Sequence, residues 1–146
     1  IDGDKDKLKQ VWMNLLNNAF DAIQQDGYIR ITTKLCAHRR RVAITVTDTG
    51  AGIKQEILNK IFDPFFSTKP VGKGTGLGLS VTFGIIKDHG GRINVLSPAP
   101  KEYVPATQDE GRTLGPGTVF LVELPLWYMK LPEEECEELG LGGETQ

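Results

Sequence analysis

The sequence predicts an α+β domain, and three observations predict it. Residues 4–25 repeat apolar side chains with the period of an α-helix, whereas residues 28–46 alternate apolar and polar side chains in two runs. A glycine-rich stretch, residues 72–80, then leads into a second run of helical length. A long helix, a hairpin and a second helix in this order are typical of an antiparallel sheet with helices packed against it.

The composition fits one domain with a real core. The chain has 146 residues, of which 39% are hydrophobic and 25% charged, and it contains neither an 18-residue apolar run nor a signal peptide. The two cysteines, Cys36 and Cys136, lie far apart without metal-like spacing. We therefore expect a reduced, cytoplasmic setting, even where the full-length protein is attached to a membrane.

Charge divides the chain into two parts. Residues 1–130 hold 17 Lys and Arg against 13 Asp and Glu, whereas residues 131–146 hold six Glu and no basic residue. We predict one domain over residues 1–130 and a disordered acidic tail over residues 131–146. The mildly basic domain suits a small anionic ligand, but its charge is too small and too scattered to indicate nucleic acid.

The first element is a helix over residues 4–25, with Asp4 or Asp6 as its N-cap. The predicted core face comprises Leu8, Val11, Trp12, Leu15, Leu16, Ala19, Ala22 and Ile23. At 100° per residue a narrow polar stripe lies opposite, formed by Lys7, Gln10, Asn14, Asn18, Asp21 and Gln25.

Three asparagines distinguish this helix from an ordinary solvated one. Asn14, Asn17 and Asn18 each lower the helix propensity by roughly 0.6 kcal/mol relative to alanine. A solvated face is the usual explanation of a polar stripe, but such faces normally use Lys, Glu and Gln. Carboxamide oxygens together with the Asp21 carboxylate can ligate a hard cation such as Mg²⁺ and leave positions for phosphate oxygens.

The hairpin consists of strands within residues 28–35 and 42–46, joined by residues 37–40, and its second strand ends in Asp48-Thr-Gly-Ala-Gly-Ile53. Two interpretations of Asp48 remain open. It can start an Asx turn ahead of two permissive glycines. It can also be a buried carboxylate that accepts a hydrogen bond from N6 of adenine, which would give strong base specificity.

A short helix, residues 55–61, is predicted to lead into a long loop, residues 63–75. The loop contains two prolines, two glycines, two phenylalanines and two lysines, without helix or strand periodicity. A loop of this length in a compact domain is usually a lid or a disordered segment. Lys69 and Lys73 can reach phosphates as such a lid closes; the alternative is a pair of ordinary surface lysines.

Residues 72–80 read Gly-Lys-Gly-Thr-Gly-Leu-Gly-Leu-Ser and precede a helix that is predicted to end at Gly90-Gly91. Glycines at a helix N-terminus let phosphates approach free backbone N–H groups, which indicates a phosphate cradle; a mobile glycine-rich linker is the alternative. Because Gly74 follows Lys73, the stretch is not a P-loop, and no frame gives the dinucleotide-binding pattern.

The predicted sheet is completed by strands over residues 92–96 and 118–124. Residues 97–116, between them, contain four prolines and are interpreted as an exposed insertion. His38 falls at the hairpin turn, where a solvated position is expected rather than a ligand role. His89 falls at a helix end, where packing or capping is expected rather than phosphate acceptance.

Four segments carry a resemblance to a known family. Asn14-Leu-Leu-Asn-Asn18-Ala, Asp48-Thr-Gly-Ala-Gly52, Phe62-Asp-Pro-Phe-Phe66 and Gly74-Thr-Gly-Leu-Gly-Leu79 resemble, in order, the N, G1, F and G2 boxes of the catalytic domain of bacterial sensor histidine kinases. Gly117-Thr-Val-Phe120 resembles the last glycine-threonine motif of that family. The resemblance covers residues 2–126 and implies a two-layer sandwich, with a mixed, mostly antiparallel sheet covered on one face by three helices.

The resemblance also implies roles for matching positions. Asn18 is expected to bind Mg²⁺ with Asn14 beside it, and Asn14, Asn18 and Lys69 are the expected catalytic residues. Asp48 is expected to bind adenine N6, with Gly50 and Gly52 flanking the base and Thr118 supporting it. The whole expected ATP-binding set is Asn18, Asp21, Asp48, Gly50, Gly52, Ile53, Phe66, Thr68, Lys69, Lys73, Gly74, Thr75, Gly76, Leu77, Gly78, Leu79 and Thr118.

By resemblance, the domain transfers the ATP γ-phosphate to a histidine on a separate helical hairpin, and a response regulator acts downstream. Hydrolytic relatives place a glutamate at the position of Asn14, so the asparagine favours transfer over hydrolysis. The chain has no His-Glu or His-Asp phosphoacceptor box, and we expect it to be a monomeric fragment of a longer kinase. Two alternatives stay open: a nucleotide-gated binding module without transfer, and a serine kinase of the anti-sigma-factor type.

Overall fold

The computed structural model describes residues 3–24, 26–36, 40–70, 74–104 and 114–126. Its elements are helix α1 (Lys5–Ala22), strands β1 (Ile29–Cys36) and β2 (Arg41–Asp48), a 3-10 helix (Gln55–Ile57), helix α2 (Gly78–Asp88), and strands β3 (Arg92–Leu96) and β4 (Thr118–Pro125). Both α-helices and all four strands lie where the sequence predicts them. The α+β fold is confirmed.

The four strands form one sheet in the order β1-β2-β4-β3. Strand β4 lies between β2 and β3. Its register with β2 pairs Thr118, the first residue of β4, with Asp48, the last residue of β2. Each pairing in the described part of the chain is antiparallel, so the parallel strand pair of a mixed sheet does not occur within these residues.

The core lies between the sheet and the two helices. Helix α1 contributes Val11 and Leu15, which are fully buried, and α2 contributes Ile86. The sheet supplies alternate residues of β2 and β4, namely Ile44, Val46, Phe120, Val122 and Leu124. Burying each of these side chains stabilises the fold by about 1.5 to 3 kcal/mol, so the sandwich gains most of its stability here.

The start of α1 follows the prediction, whereas its end does not. Asp4 is the N-cap: its Oδ1 accepts hydrogen bonds from the backbone N–H groups of Asp6 at 3.0 Å and Lys7 at 3.1 Å. The helix stops at Ala22, three residues earlier than predicted, because the Ala22 carbonyl accepts from the Ala51 N–H at 3.1 Å. The loop after β2 thus takes the acceptor that the next helical turn would need.

Two further predictions are corrected. The short helix predicted over residues 55–61 is a single 3-10 turn followed by turns of the same i to i+3 type, with Lys60 N–H donating to Ile57 O and Asp63 N–H to Lys60 O. The insertion after β3 is not exposed throughout, since Ser97 is buried.

Some predictions fall on residues outside the described part of the chain. These are His38 in the hairpin tip, Lys73 in the expected ATP-binding set, residues 105–113 of the insertion, and the acidic tail over residues 131–146. In the ranges that the structure does describe, neither α-helix is both long and apolar enough to cross a membrane.

Candidate functional site

A cleft of about 920 Å³ opens between α1, the loop after β2, the loop around Lys69 and the beginning of α2. Most of the residues that the sequence singles out line it. They are Asn14, Asn18, Asp21, Asp48, Gly52, Ile53, Phe66, Thr68, Lys69, Gly74, Thr75, Gly76, Gly78, Leu79 and Thr118. Four segments that are distant in sequence therefore meet at one cavity.

Two expected residues do not line the cleft. Gly50 faces the end of α1 instead, where an added Cβ would lie 2.5 Å from the Ala22 carbonyl oxygen, so this glycine is required for close packing of the loop on the helix. Leu77 is the N-cap of α2.

Part of the cleft lining was not predicted from the sequence. The additional lining residues are Phe20, Ala22, Ala51, Lys54, Ile57, Ile61, Ser67 and Phe120, together with Asn17, which is one of the three asparagines of α1 but not in the expected ATP-binding set. One signal was available for this lining: Ile57 and Ile61 are four residues apart, a spacing that places two side chains on the same face of a helical turn. Phe120 could be placed only with the register of β4.

Asp48 is the buried charge of the site. It is 3% exposed, and its Oδ1 accepts a hydrogen bond from the Gly50 N–H at 2.8 Å, so the Asx turn is present. Burial raises the pKa of the Asp48 carboxyl, while hydrogen bonds from the backbone N–H groups of Gly50 and Thr118 act in the opposite direction. Because Asp48 also lines the cleft, the turn and a ligand-binding role are compatible.

Asn14 and Asn18 lie one turn apart on α1 and have different surroundings. The Asn14 Nδ2 donates to the Gly78 carbonyl at 3.0 Å and contacts the Thr82 Oγ1 at 3.2 Å, so this side chain joins α1 to the first turn of α2. Within the described residues Asn18 makes no side-chain hydrogen bond, although it is half-buried and lines the cleft. Its carboxamide is thus available to a ligand.

Lys69 connects the loop after the 3-10 turn to α1. Its Nζ lies 2.5 Å from Oδ2 of Asp21, and the two side chains are 35% and 57% exposed. An ion pair this exposed contributes about 0 to 1 kcal/mol. The contact is weak enough for an anionic ligand to compete for the lysine.

The beginning of α2 faces the cleft with no side-chain cap. Its first backbone N–H groups and the positive end of the helix dipole are therefore available to an anion. Just before it, Gly76 has a φ of 66°, and a Cβ there would lie 2.4 Å from the backbone carbon of Phe65. Glycine is required at this position because the two loops pack backbone against backbone.

His89 was predicted to have a packing or capping role at the end of a helix. The His89 Nδ1 lies 2.7 Å from the Ile85 carbonyl, and its Nε2 accepts from the Asp4 N–H at 3.0 Å. The ring therefore caps the end of α2 against the start of α1, away from the cleft, as the sequence predicts.

Comparison with known proteins agrees with this geometry. Residues 3–128 match the family described as histidine kinase-, DNA gyrase B- and HSP90-like ATPases. The chain belongs to this ATPase family.

Relatives within the family narrow the assignment. The chain is 39% identical over 127 residues to sporulation kinase C of Bacillus subtilis, with 86% of this chain and 25% of that protein covered. It superposes on the catalytic domain of the histidine kinase ThkA with a TM-score of 0.63 and 38% identity, covering 84% of this chain and 68% of that one. The domain is thus a catalytic ATPase domain of the sensor histidine kinase type, and it spans about a quarter of the curated relative's length.

A second similar structure is of ThkA in complex with the response regulator TrrA. It aligns with a TM-score of 0.59 at 33% identity and covers 85% of this chain and 30% of that one.

Proposed function

We propose that this domain binds ATP with Mg²⁺ and transfers the γ-phosphate to a histidine on a separate helical hairpin. The observation that carries the proposal is the convergence, in one cleft, of a buried carboxylate, an unpaired carboxamide and an uncapped helix N-terminus. Asp48, Asn18 and Gly78 provide these three features. In a bound nucleotide, Asp48 would contact the base, Asn18 would contact the metal ion on the phosphates, and the backbone N–H groups at Gly78 would contact the phosphate oxygens.

The adenine end of the proposed site is built around Asp48. Its antiparallel partner Thr118 lines the cleft as well, together with Phe120, two residues further along β4, and Ile53. A carboxylate accepts a hydrogen bond from the exocyclic N6 of adenine but faces the O6 acceptor of guanine unfavourably. The site should therefore select ATP and ADP over GTP.

The phosphate end is formed by α1 and α2 together. Asn18 and Asp21 fit a magnesium ion because both offer the oxygen ligands that this cation prefers. The described residues contain no group of three His, Cys, Asp or Glu that could hold a metal alone, so the phosphates would supply further ligands. When bound, Mg²⁺ neutralises phosphate charge; the N–H groups of α2 and the Lys69 ammonium bind and orient the phosphate oxygens.

We favour transfer over hydrolysis because position 14, one turn before Asn18 on α1, carries no carboxylate that could activate water. Position 14 carries an amide whose nitrogen is occupied by α2. A neutral imidazole can attack the γ-phosphate without prior loss of a proton, so the domain needs mainly to align the nucleotide. We infer that the acceptor is a separate hairpin of the parent kinase and that a response regulator receives the phosphate afterwards.

Since ATP is the proposed substrate and Cys36 is a free cysteine, we propose that the domain works in the cytoplasm. We also propose that the isolated domain is a monomer.

A labelling experiment tests the proposal. The 146-residue chain, incubated with γ-labelled ATP and Mg²⁺, should stay unlabelled, because His89 packs away from the cleft. Adding a phosphoacceptor hairpin in trans should give an acid-labile, base-stable phosphohistidine on the hairpin. The rate should be below that of a linked kinase, because a tether supplies an effective concentration on the order of millimolar.

Two results would replace this function with its alternatives. Tight ATP binding without transfer to any acceptor hairpin would favour a nucleotide-gated module. Acid-stable labelling of serine or threonine would favour a serine kinase. The Asn18→Ala variant serves as the negative control for transfer.

A further inference from the structure

Ser97 is the first residue after β3 and is 6% exposed. Its hydroxyl accepts a hydrogen bond from the Ile53 N–H at 2.8 Å and donates to the Gly117 carbonyl at 2.8 Å. Both capacities of the hydroxyl are therefore used by backbone groups of other segments. Its own carbonyl accepts from the side-chain amide of Gln55.

The two segments that Ser97 joins form the wall near Asp48. Ile53 lines the cleft directly, and Gly117 precedes Thr118, which lines it as well. The Gly117 N–H donates in turn to the Gly50 carbonyl at 3.0 Å, so the loop after β2 and the start of β4 are held to each other through Gly117 and Ser97. Ser97 itself does not line the cleft.

The hydroxyl has a particular task in this network. The loop after β2 is held at its beginning by Asp48 and by the end of α1, through the Gly50 and Ala51 N–H groups. At the far end of this loop, Ile53 lines the cleft. Its backbone is held there by the hydrogen bond from the Ile53 N–H to the Ser97 hydroxyl. Without it, a donor at Ile53 and an acceptor at Gly117 would both lose their partner in a part-buried place, and the wall would shift to regain hydrogen bonds.

We propose that Ser97 is a positioning residue for the base-binding half of the cleft: it holds the Ile53 backbone and the start of β4 at the separation that an adenine ring requires. The inference rests on the proposed function, since it assumes that the base lies beside Asp48. It assigns Ser97 no contact with the nucleotide and no part in the chemistry at the γ-phosphate.

A selective loss of base affinity follows. Ser97→Ala should weaken the binding of adenosine, ADP and ATP by the same factor of about ten, because each ligand must then order the wall on binding. Tenfold corresponds to about 1.4 kcal/mol. The ratio of ATP affinities with and without Mg²⁺ should not change, because the phosphate end is built from α1 and α2.

The matched control is Thr45→Val. Thr45 is also 6% exposed, and its hydroxyl is hydrogen-bonded to the Thr32 hydroxyl in the sheet, away from the cleft. This variant removes a buried hydroxyl of the same kind with little change of shape. It should lower the melting temperature and leave all nucleotide affinities within twofold of the wild type.

Calorimetric titration of the folded variants decides between the outcomes. Adenosine affinity of Ser97→Ala within twofold of the wild type would overturn the proposal, as would an equal loss in Thr45→Val. If Ser97→Ala does not fold, the exposed Gln55→Ala variant replaces it: a threefold weaker affinity for adenosine supports the proposal, and an unchanged affinity refutes it. If the wild-type chain itself does not bind adenine nucleotides, the proposed function fails rather than the role of Ser97.

Discussion

Replacing Asp48 by asparagine tests the centre of the proposed site with little change of shape. The asparagine Oδ1 can still accept from the Gly50 N–H, as the aspartate does at 2.8 Å. The substitution removes the negative charge and replaces Oδ2 by an amide N–H₂ group. This group is a donor, and it would face the N6 donor of adenine. The variant therefore removes one charged hydrogen bond and leaves the turn intact.

The magnitude follows from the burial of this group. A hydrogen bond to a charged partner contributes about 1.5 to 3 kcal/mol, which is roughly a 10- to 150-fold change in affinity. Asp48 is 3% exposed, so water cannot replace the lost acceptor. We expect Asp48→Asn to weaken ATP binding by a factor in this range and to reduce the preference for ATP over GTP.

The pKa of Asp48 adds a pH signature. Burial raises that pKa in the empty protein, whereas the proposed N6 hydrogen bond favours the charged carboxylate. Nucleotide binding should therefore release a proton, and affinity should fall as the pH falls through the raised pKa. The ratio of wild-type to Asp48→Asn affinities isolates this effect, because titration of the phosphates affects both proteins equally.

The folding stability of the empty protein should fall with rising pH, whereas its nucleotide affinity should rise. The native state keeps the Asp48 proton up to a higher pH than the unfolded chain, so the stability of the empty protein falls as the pH rises from the unfolded pKa to the raised one. Above that range the buried charge destabilises the fold. Asp48→Asn should consequently be at least as stable as the wild type at pH 7, as measured by urea unfolding.

Calorimetry over a pH series that rises from the ordinary pKa of an aspartate carboxyl to neutrality, in buffers of different ionisation enthalpy, measures both the affinity and the released proton. Equal ATP and GTP affinities in the wild type, or an Asp48→Asn affinity within twofold of the wild type, would refute the assignment of Asp48 to the base.

Two other substitutions test the phosphate end. Asn18→Ala should weaken Mg²⁺-dependent ATP binding and abolish transfer while leaving α1 as helical as before, since alanine is the better helix former. The control is Gln10→Ala, on the same helix but outside the cleft. Unchanged transfer by Asn18→Ala at limiting Mg²⁺ would contradict the assignment of Asn18 to the metal. Gly76→Ala should weaken ATP binding, because its φ of 66° disfavours alanine by about 1 to 2 kcal/mol and its Cβ would meet the Phe65 backbone. Gly84→Ala, in α2 with nothing within 4 Å of the new Cβ, should bind ATP normally, and equal titration curves for the two variants would show that the loop conformation does not matter.

The helix and the hairpin were predictable because their signals are local. The apolar period of α1 arises from burial of one helix face, and the apolar positions of β2 at Ile44 and Val46 are those that pack in the core with α1. Asp4 as the N-cap follows from the preference for a short polar side chain at that place. The convergence of Asn18, Asp48 and the glycine stretch was predicted mainly by the order of the motifs that resemble a known family.

The unpredicted features depend on contacts between distant segments. The early end of α1 is decided by the Ala51 N–H, and the burial of Ser97 by backbone groups of Ile53 and Gly117. None of these contacts produces a periodic pattern in the sequence, because each one is made by a single hydroxyl or N–H group. The apolar wall containing Phe120 needs the pairing of β4 with β2, which the sequence alone does not define.

Asn14 links the fold to the choice between transfer and hydrolysis. Its Nδ2 donates to the carbonyl of Gly78 and contacts the hydroxyl of Thr82, which is fully buried. A carboxylate at position 14 has no hydrogen to donate, so it would face the Gly78 carbonyl as one acceptor against another. The first turn of α2, to which we assign the phosphates, is thus attached to α1 by a group that cannot act as a base toward water. We therefore expect that position 14 does not supply a base for water in this chain, which favours a nucleophile supplied by another domain.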